Sequence, residues 1–208
     1  MLKVGLTGGY ATGKTLVAYE LERLGCNLIF ADQLGHATLQ PGGAAHRPTV
    51  ERFGEKIVAA DGSIDRKKLG SIVFASPELL AQLNAIVHPA VFDLEERLLA
   101  GFAQRDPRGI TIVEAAILIE TGSYAHCDKL IVTACDQETQ IARGMKRDGL
   151  TREAVLARLS QQLSQEEKKR YADFIVDTSG SKEDTVKQIQ KIFLSLKPLA
   201  EAARPARA

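Results

Sequence analysis

Residues 2–15 read LKVGLTGGYATGKT. A short apolar run from Leu2 to Leu6 suits a buried strand, and the residues after Gly13 suit a helix. In KTLVAYELERLG (14–25), Leu16, Tyr19 or Glu20, and Leu24 recur at helical spacing before a terminating glycine. Between strand and helix, Gly8, Gly13, Lys14 and Thr15 match the pattern G-x-x-x-x-G-K-[ST]. A chance match is expected on the order of once per hundred chains of this length, and the flanking strand and helix make it rarer still. The pattern has a mechanism. Its glycines let backbone N–H groups turn inward onto phosphate oxygens, and the helix N-terminus adds unpaired donors and partial positive charge. The expected cradle comprises Gly8, Gly9, Ala11, Thr12 and Gly13, with Lys14, Thr15 and Leu16 opening the helix. Lys14 is expected to reach the terminal phosphates of a nucleoside triphosphate, and the Thr15 hydroxyl to ligate Mg²⁺.

The remaining composition limits what such a loop serves. The chain has 208 residues and a formal net charge of +1, so no global field draws it onto nucleic acid or a membrane, and any anion site must be built locally. Tryptophan is absent, which leaves few platforms for stacking bases. Cys26, Cys127 and Cys135 are odd in number and lack C-x-x-C spacing, so reduced thiols in a cytoplasmic protein are expected. No apolar run reaches membrane-spanning length, and the opening residues do not resemble a signal segment.

Further apolar runs at CNLIFA (26–31), ITIVEA (110–115), KLIVTA (129–134) and FIVDT (174–178) alternate with helical stretches. Lacking polar alternation, they suit central parallel strands covered on both faces. The expected fold class is α/β: a doubly wound parallel sheet of about five strands. One domain is expected over residues 1–196, with a helical insert at about 33–105, a charged helical lid at about 137–170, and a frayed tail over 197–208. Within the first insert, breaks are expected at QPGG (40–43), Arg47-Pro48, Ser76-Pro77 and His88-Pro89.

A switch GTPase would need D-x-x-G and N-K-x-D motifs in usable positions, and neither is present. Motor and transporter ATPases are normally longer. A short chain with two helical inserts fits a small-molecule kinase, in which inserts close over both substrates and exclude water.

Six segments in order, GLTGGYATGKT, ADQLGH, DGSIDRKKLGSIVF, LNAIVHPAV, ILIETG and RYADFIVDTSG, resemble dephospho-coenzyme A kinases over nearly the whole chain, to about residue 196. The resemblance implies transfer of the ATP γ-phosphate to the ribose 3′-hydroxyl of dephospho-CoA, with a nucleotide core, a helical CoA-binding domain and a mobile lid. It places Asp32 at the family's catalytic aspartate, the second of a D-A-D signature whose first position is Phe30 here. Two other motifs differ: AILIE has Ala116 in place of proline but keeps Glu120, and DTSG has Thr178 in place of asparagine. The alternatives are another small-molecule or nucleoside monophosphate kinase, and a nucleotide-binding regulatory module without catalysis.

The resemblance and the spacing together assign roles. Asp32 is expected to close the second strand and orient the acceptor hydroxyl; its plainer role is a helix N-cap. Glu114, closing the third strand, is placed near Mg²⁺ through a water, against the reading of a surface carboxylate. Arg143 and Arg147 lie four apart on one helix face and are expected to meet the transferring phosphoryl group, against the reading of a solvated basic face. Arg66 and His88 fall in the acceptor-domain motifs. The expected partners are ATP and dephospho-CoA, with no nucleic acid and no membrane.

Overall fold

The computed structural model describes residues 1–202. Among them, five strands form one parallel sheet: β1 Leu2–Gly8, β2 Asn27–Phe30, β3 Ile110–Glu114, β4 Lys129–Ala134 and β5 Phe174–Asp177, in the order β2-β3-β1-β4-β5. The central strands are mostly apolar because both faces are covered. Every residue of β3 is buried, as is β4 after Lys129. On one face Val4, Leu6, Ile112, Ile131 and Val176 pack against Val17, Ala18 and Leu21 of α1 (Lys14–Arg23) and against a C-terminal helix, Lys182–Ala202. Burying each such aliphatic side chain contributes roughly 1.5–3 kcal/mol. On the other face Gly5 is needed for closeness, since a Cβ there would lie 2.8 Å from Leu130 Cδ1 and 3.1 Å from Cys127 Sγ.

The chain divides into two compact units. One comprises Met1–Phe30 with the chain from Gly101 onward, and the other is Ala31–Ala100. The second contains α2 (Ala31–Thr38), α3 (His46–Phe53), α4 (Arg66–Val73) and most of α5 (Pro77–Arg105). Its core is Phe53, Ile57, Ile64, Leu69 and Val73. The motif DGSIDRKKL is largely scaffold: Asp61 Oδ1 accepts from the Ser63 N–H and hydroxyl, Ile64 and Leu69 enter the core, and Asp65 caps α4 through the N–H groups of Lys67 and Lys68.

Four expectations need correction. β2 stops at Phe30, so Asp32 does not close the strand but lies in the first turn of α2, past the N-cap position. Pro48 does not break a helix; it lies in the first turn of α3, where its missing N–H has no intrahelical acceptor. Pro89 does not divide α5, which runs unbroken for 29 residues, carried across the proline by strong helix formers further out on either side, Leu79–Leu83 and Leu94–Ala100. The tail expected to fray from residue 197 instead continues the last helix to Ala202 with Ala200 buried; the remainder of that tail lies outside the described residues.

The stretch following β4 forms α6 (Gln137–Asp148), α7 (Arg152–Leu159) and α8 (Gln165–Lys169); the C-terminal helix is α9. Each of the three has a side-chain N-cap: Asp136 on Thr139, Thr151 on Ala154, and a Ser164–Glu167 capping box. Gly149, at φ 65°, turns the chain between α6 and α7.

Candidate active site

The loop joining β1 to α1 is wrapped tightly against β4. A Cβ on Gly8 would fall 2.1 Å from Thr133 Oγ1, so only glycine fits there. Gly13 has φ 83°, the left-handed region, and Ala11 adopts φ 59°. For an alanine that conformation costs roughly 1–2 kcal/mol, a strain typical of loops whose backbone shape matters to function. The shape is pinned from within. Thr12 Oγ1 donates to Gly9 O at 2.8 Å and lies 2.7 Å from Thr133 Oγ1, while Thr12 O accepts from Thr178 Oγ1 at 3.0 Å. α1 begins without a side-chain cap, and an anion is the natural partner for leading amides left so. The Lys14 ammonium curls back over the loop, donating to Gly8 O and Gly9 O at 3.1 Å each. Thr15 is exposed at the helix start, and Leu16 lines a neighbouring hollow.

That hollow, about 240 Å³, is bounded by Gly13, Leu16, Arg143, Thr178, Gly180, Lys182 and Thr185. Arg143 is fixed across it, donating from Nη1 to Thr178 Oγ1 at 2.9 Å and from Nη2 to Thr178 O at 2.6 Å. The hydroxyl of Thr178, buried beside the loop, is therefore a three-way tie between Thr12, Ala134 and Arg143. Arg147, one turn further along α6, is engaged elsewhere. Its guanidinium lies 4.7 Å from the centre of the Tyr10 ring and donates to Asp148. The two arginines share a helix face but serve different ends of the phosphate loop.

Glu114 closes β3 opposite Leu6 and Phe30 and is 7% exposed, which removes the reading of a surface carboxylate. Glu120 pairs with Lys168 at 2.7 Å, while the same ammonium donates to Ala116 O at 3.0 Å. Ala116 O also accepts from Thr7 Oγ1 at 3.3 Å. Phe30 packs edge-on against Tyr19 with centroids 5.7 Å apart.

Asp32, Arg66 and His88 all lie on the Ala31–Ala100 unit, and all three are exposed. Arg66 occupies the first turn of α4 and His88 the middle of α5. Lys14, Thr15, Glu114, Arg143 and Arg147 lie on the other unit.

Sequence reasoning missed Tyr10, Gln140, Gln162, Gln165 and Lys168. Tyr10 falls at a position the phosphate-loop pattern leaves open, and the others sit among charged helices that read as solvated. Gln165 bridges the Cys135 backbone and Gln140, Gln140 donates to Tyr10 O at 2.6 Å, and Gln162 accepts from Tyr10 N–H at 2.8 Å. Asp148 accepts hydrogen bonds from Arg147 and from the Tyr10 hydroxyl, which hold its carboxyl well below the usual carboxylate range.

Among the described residues no helix is long and apolar enough to cross a membrane, and no group of three or more His, Cys, Asp or Glu side chains is gathered for a metal. The family model for dephospho-CoA kinase matches residues 2–184. The chain is 44% identical over 190 residues to a dephospho-CoA kinase from Geobacter sulfurreducens, covering 91% of this chain and 96% of that one. It is 37% identical over 196 residues to one from Aquifex aeolicus, covering 94% and 98%. Among solved structures, the dephospho-CoA kinase from Campylobacter jejuni superposes with a TM-score of 0.71 at 28% identity, covering 94% and 97%.

Proposed function

Because the chain belongs to the dephospho-CoA kinase family, we propose that it phosphorylates the ribose 3′-hydroxyl of dephospho-CoA at the expense of ATP, releasing coenzyme A and ADP. The observation that carries the reading is the loop itself: strained at Ala11, pinned by Thr12 and Thr178, and leading into a helix with no side-chain cap.

In this reading the ATP phosphates take the place of the carbonyls that now hold the Lys14 ammonium. Lys14 then bridges the terminal phosphates, and the amides from Gly9, Ala11, Thr12 and Gly13 into the start of α1 neutralise the rest. The residues fit magnesium, which keeps several waters and takes few protein ligands beside substrate phosphates: Thr15 offers a hydroxyl, and Glu114 a carboxylate acting through water. When bound, the ion supplies neutralisation of phosphate charge. The hollow beside Gly13 and Leu16 accommodates a flat heterocycle, with Arg143 and Thr178 as its wall. Arg143 therefore serves the donor nucleotide, and Arg147 is the cation that meets the transferring phosphoryl group.

On the acceptor side, Asp32 holds the 3′-hydroxyl in line by accepting its hydrogen bond and takes the proton late in the transfer. Arg66 and His88 bind the acceptor's phosphate-bearing arm. Cytoplasmic residence fits three cysteines joined by no disulfide.

The test is a coupled assay with ATP, Mg²⁺ and a panel of dephospho-CoA, nucleoside monophosphates and shikimate, with the product identified by mass. Turnover confined to dephospho-CoA supports the reading. Preference for another acceptor, or binding of ATP without turnover of any, would replace it.

A further inference from the structure

Tyr10 is the one large side chain between Gly8 and Lys14. Its ring leaves the loop and enters a cradle built by α6 and α7. Gly144 forms the floor: a Cβ at that position would lie 2.5 Å from Tyr10 Cε1 and 3.2 Å from Val155 Cγ1. The guanidinium groups of Arg147 and Arg158 lie 4.7 Å and 5.5 Å from the ring centre. The hydroxyl donates to Asp148, which also accepts from Arg147 Nε at 2.8 Å and Arg158 Nη1 at 2.7 Å. Tyr10 thus meets Arg147 twice, directly through its ring and indirectly through a shared carboxylate. Its backbone is held as well, by Gln162 at the N–H and Gln140 at the carbonyl.

A cation used in phosphoryl transfer is most effective when its position is set before the reaction. The cost of holding a long arginine side chain still must then be met by fixed neighbours. We propose that Tyr10 is a positioning residue for phosphoryl transfer: docked against Gly144 and bonded to Asp148, it holds the Arg147 guanidinium against the phosphate loop. Its position in the loop ties that cation to the same backbone that binds the phosphates. The proposal rests on the reading of Arg147 as the phosphoryl-facing cation, and the experiment separates the two.

The experiment compares kcat and KM for Tyr10→Leu, Tyr10→Phe, Arg147→Ala and the Tyr10→Leu/Arg147→Ala double variant of the full chain. Tyr10→Leu should lower kcat about tenfold or more, with the ATP KM changed less than about threefold, because the loop's backbone contacts to phosphate remain. Tyr10→Phe keeps the ring between the two guanidinium groups and should recover most of that loss. In the double variant the tyrosine substitution should cost nothing beyond Arg147→Ala, since a residue acting through another is silent once the other is gone. Normal kcat in Arg147→Ala would overturn the reading of Arg147 and with it this proposal. A slow Arg147→Ala beside a normal Tyr10→Leu would overturn the positioning role alone, as would losses that add in the double variant. Should Tyr10→Leu fail to fold, Asp148→Asn, altered at the exposed end of α6, takes its place, and an unchanged kcat there overturns the proposal equally.

Discussion

The Lys168 side chain is wholly shielded from solvent, and its ammonium lies 2.7 Å from Glu120 Oε1. The pair joins α8 to the connection after β3, and the Ala116 carbonyl completes the ammonium's surroundings. Removing one member of a buried pair leaves a desolvated charge behind. Glu120→Ala should therefore lower stability by about 3 kcal/mol, the lower end of the usual range because Glu120 keeps some exposure. Lys168→Met, which removes the charge and keeps the bulk, should cost less. Urea denaturation of the two variants measures this, and equal losses would mean that the pair is mere packing.

Lys14→Ala should abolish nearly all turnover and leave the melting temperature close to that of the unaltered protein. The ammonium donates to carbonyls of its own loop, and its charge is needed once phosphate is present. Steady-state kinetics beside a thermal melt separates the two effects. A variant that retains near-normal turnover would refute the phosphate site.

Asp32→Asn should depress kcat by about 10²-fold or more while ATP binds as before. The side chain is exposed in the first turn of α2, so the amide is tolerated structurally but cannot take a proton. ATP affinity measured by calorimetry, alongside kcat, decides it. Unchanged kcat with weakened ATP binding would assign Asp32 to the donor side.

Arg143→Ala should raise the ATP KM about tenfold, the worth of lost hydrogen bonds from a charged group, and change kcat by less than about threefold. The guanidinium spans the hollow beside Gly13 and Leu16 by way of Thr178. The opposite split, a falling kcat at constant KM, would return Arg143 to the phosphoryl group.

Burial pushes the Cys26 thiol from its ordinary 9.0 up to about 12. Between those values the unfolded chain loses the proton and the folded chain keeps it, so stability falls as pH rises across the window and is unaffected below it. Comparing unfolding midpoints of the unaltered protein and Cys26→Ala at pH 8 and near pH 10.5 isolates the effect from other titrating groups. The unaltered protein should lose more stability over that rise. Parallel losses would place Cys26 in contact with water.

The phosphate loop was legible because its function resides in backbone conformation and in a few contiguous residues, so spacing alone describes it. The parallel sheet was legible for a similar reason: β3 is buried throughout and β4 after Lys129, so both read as mostly apolar runs. Lys168 was not, since a lysine in QEEKK reads as solvated until a carboxylate far along the chain is brought beside it. Thr178 registered as a departure from a motif, whereas its hydroxyl ties Thr12, Ala134 and Arg143 together. Arg143 and Arg147 share a helical face by spacing, but their partners come from different segments, Thr178 and Tyr10, which periodicity does not reveal. Pro89 misled because local preference for a break was outweighed by the helix formers further out on either side.

β1 and β2 are not paired with each other; each pairs with β3, which lies between them. A ribosome that has made residues 1–30 has therefore made two strands with no neighbour to bond to. It must then translate the whole of Ala31–Ala100, a stretch with its own apolar core, before Ile110 emerges. At roughly 5–20 residues per second that interval is on the order of ten seconds. During it the helical stretch is free to condense first, while the nascent strands Leu2–Gly8 and Asn27–Phe30 wait with their ladder groups unpaired. The order of synthesis thus runs opposite to the order in which sheet neighbours become available, and the early strands are the segments of this chain most exposed to mispairing or chaperone capture while it is being made.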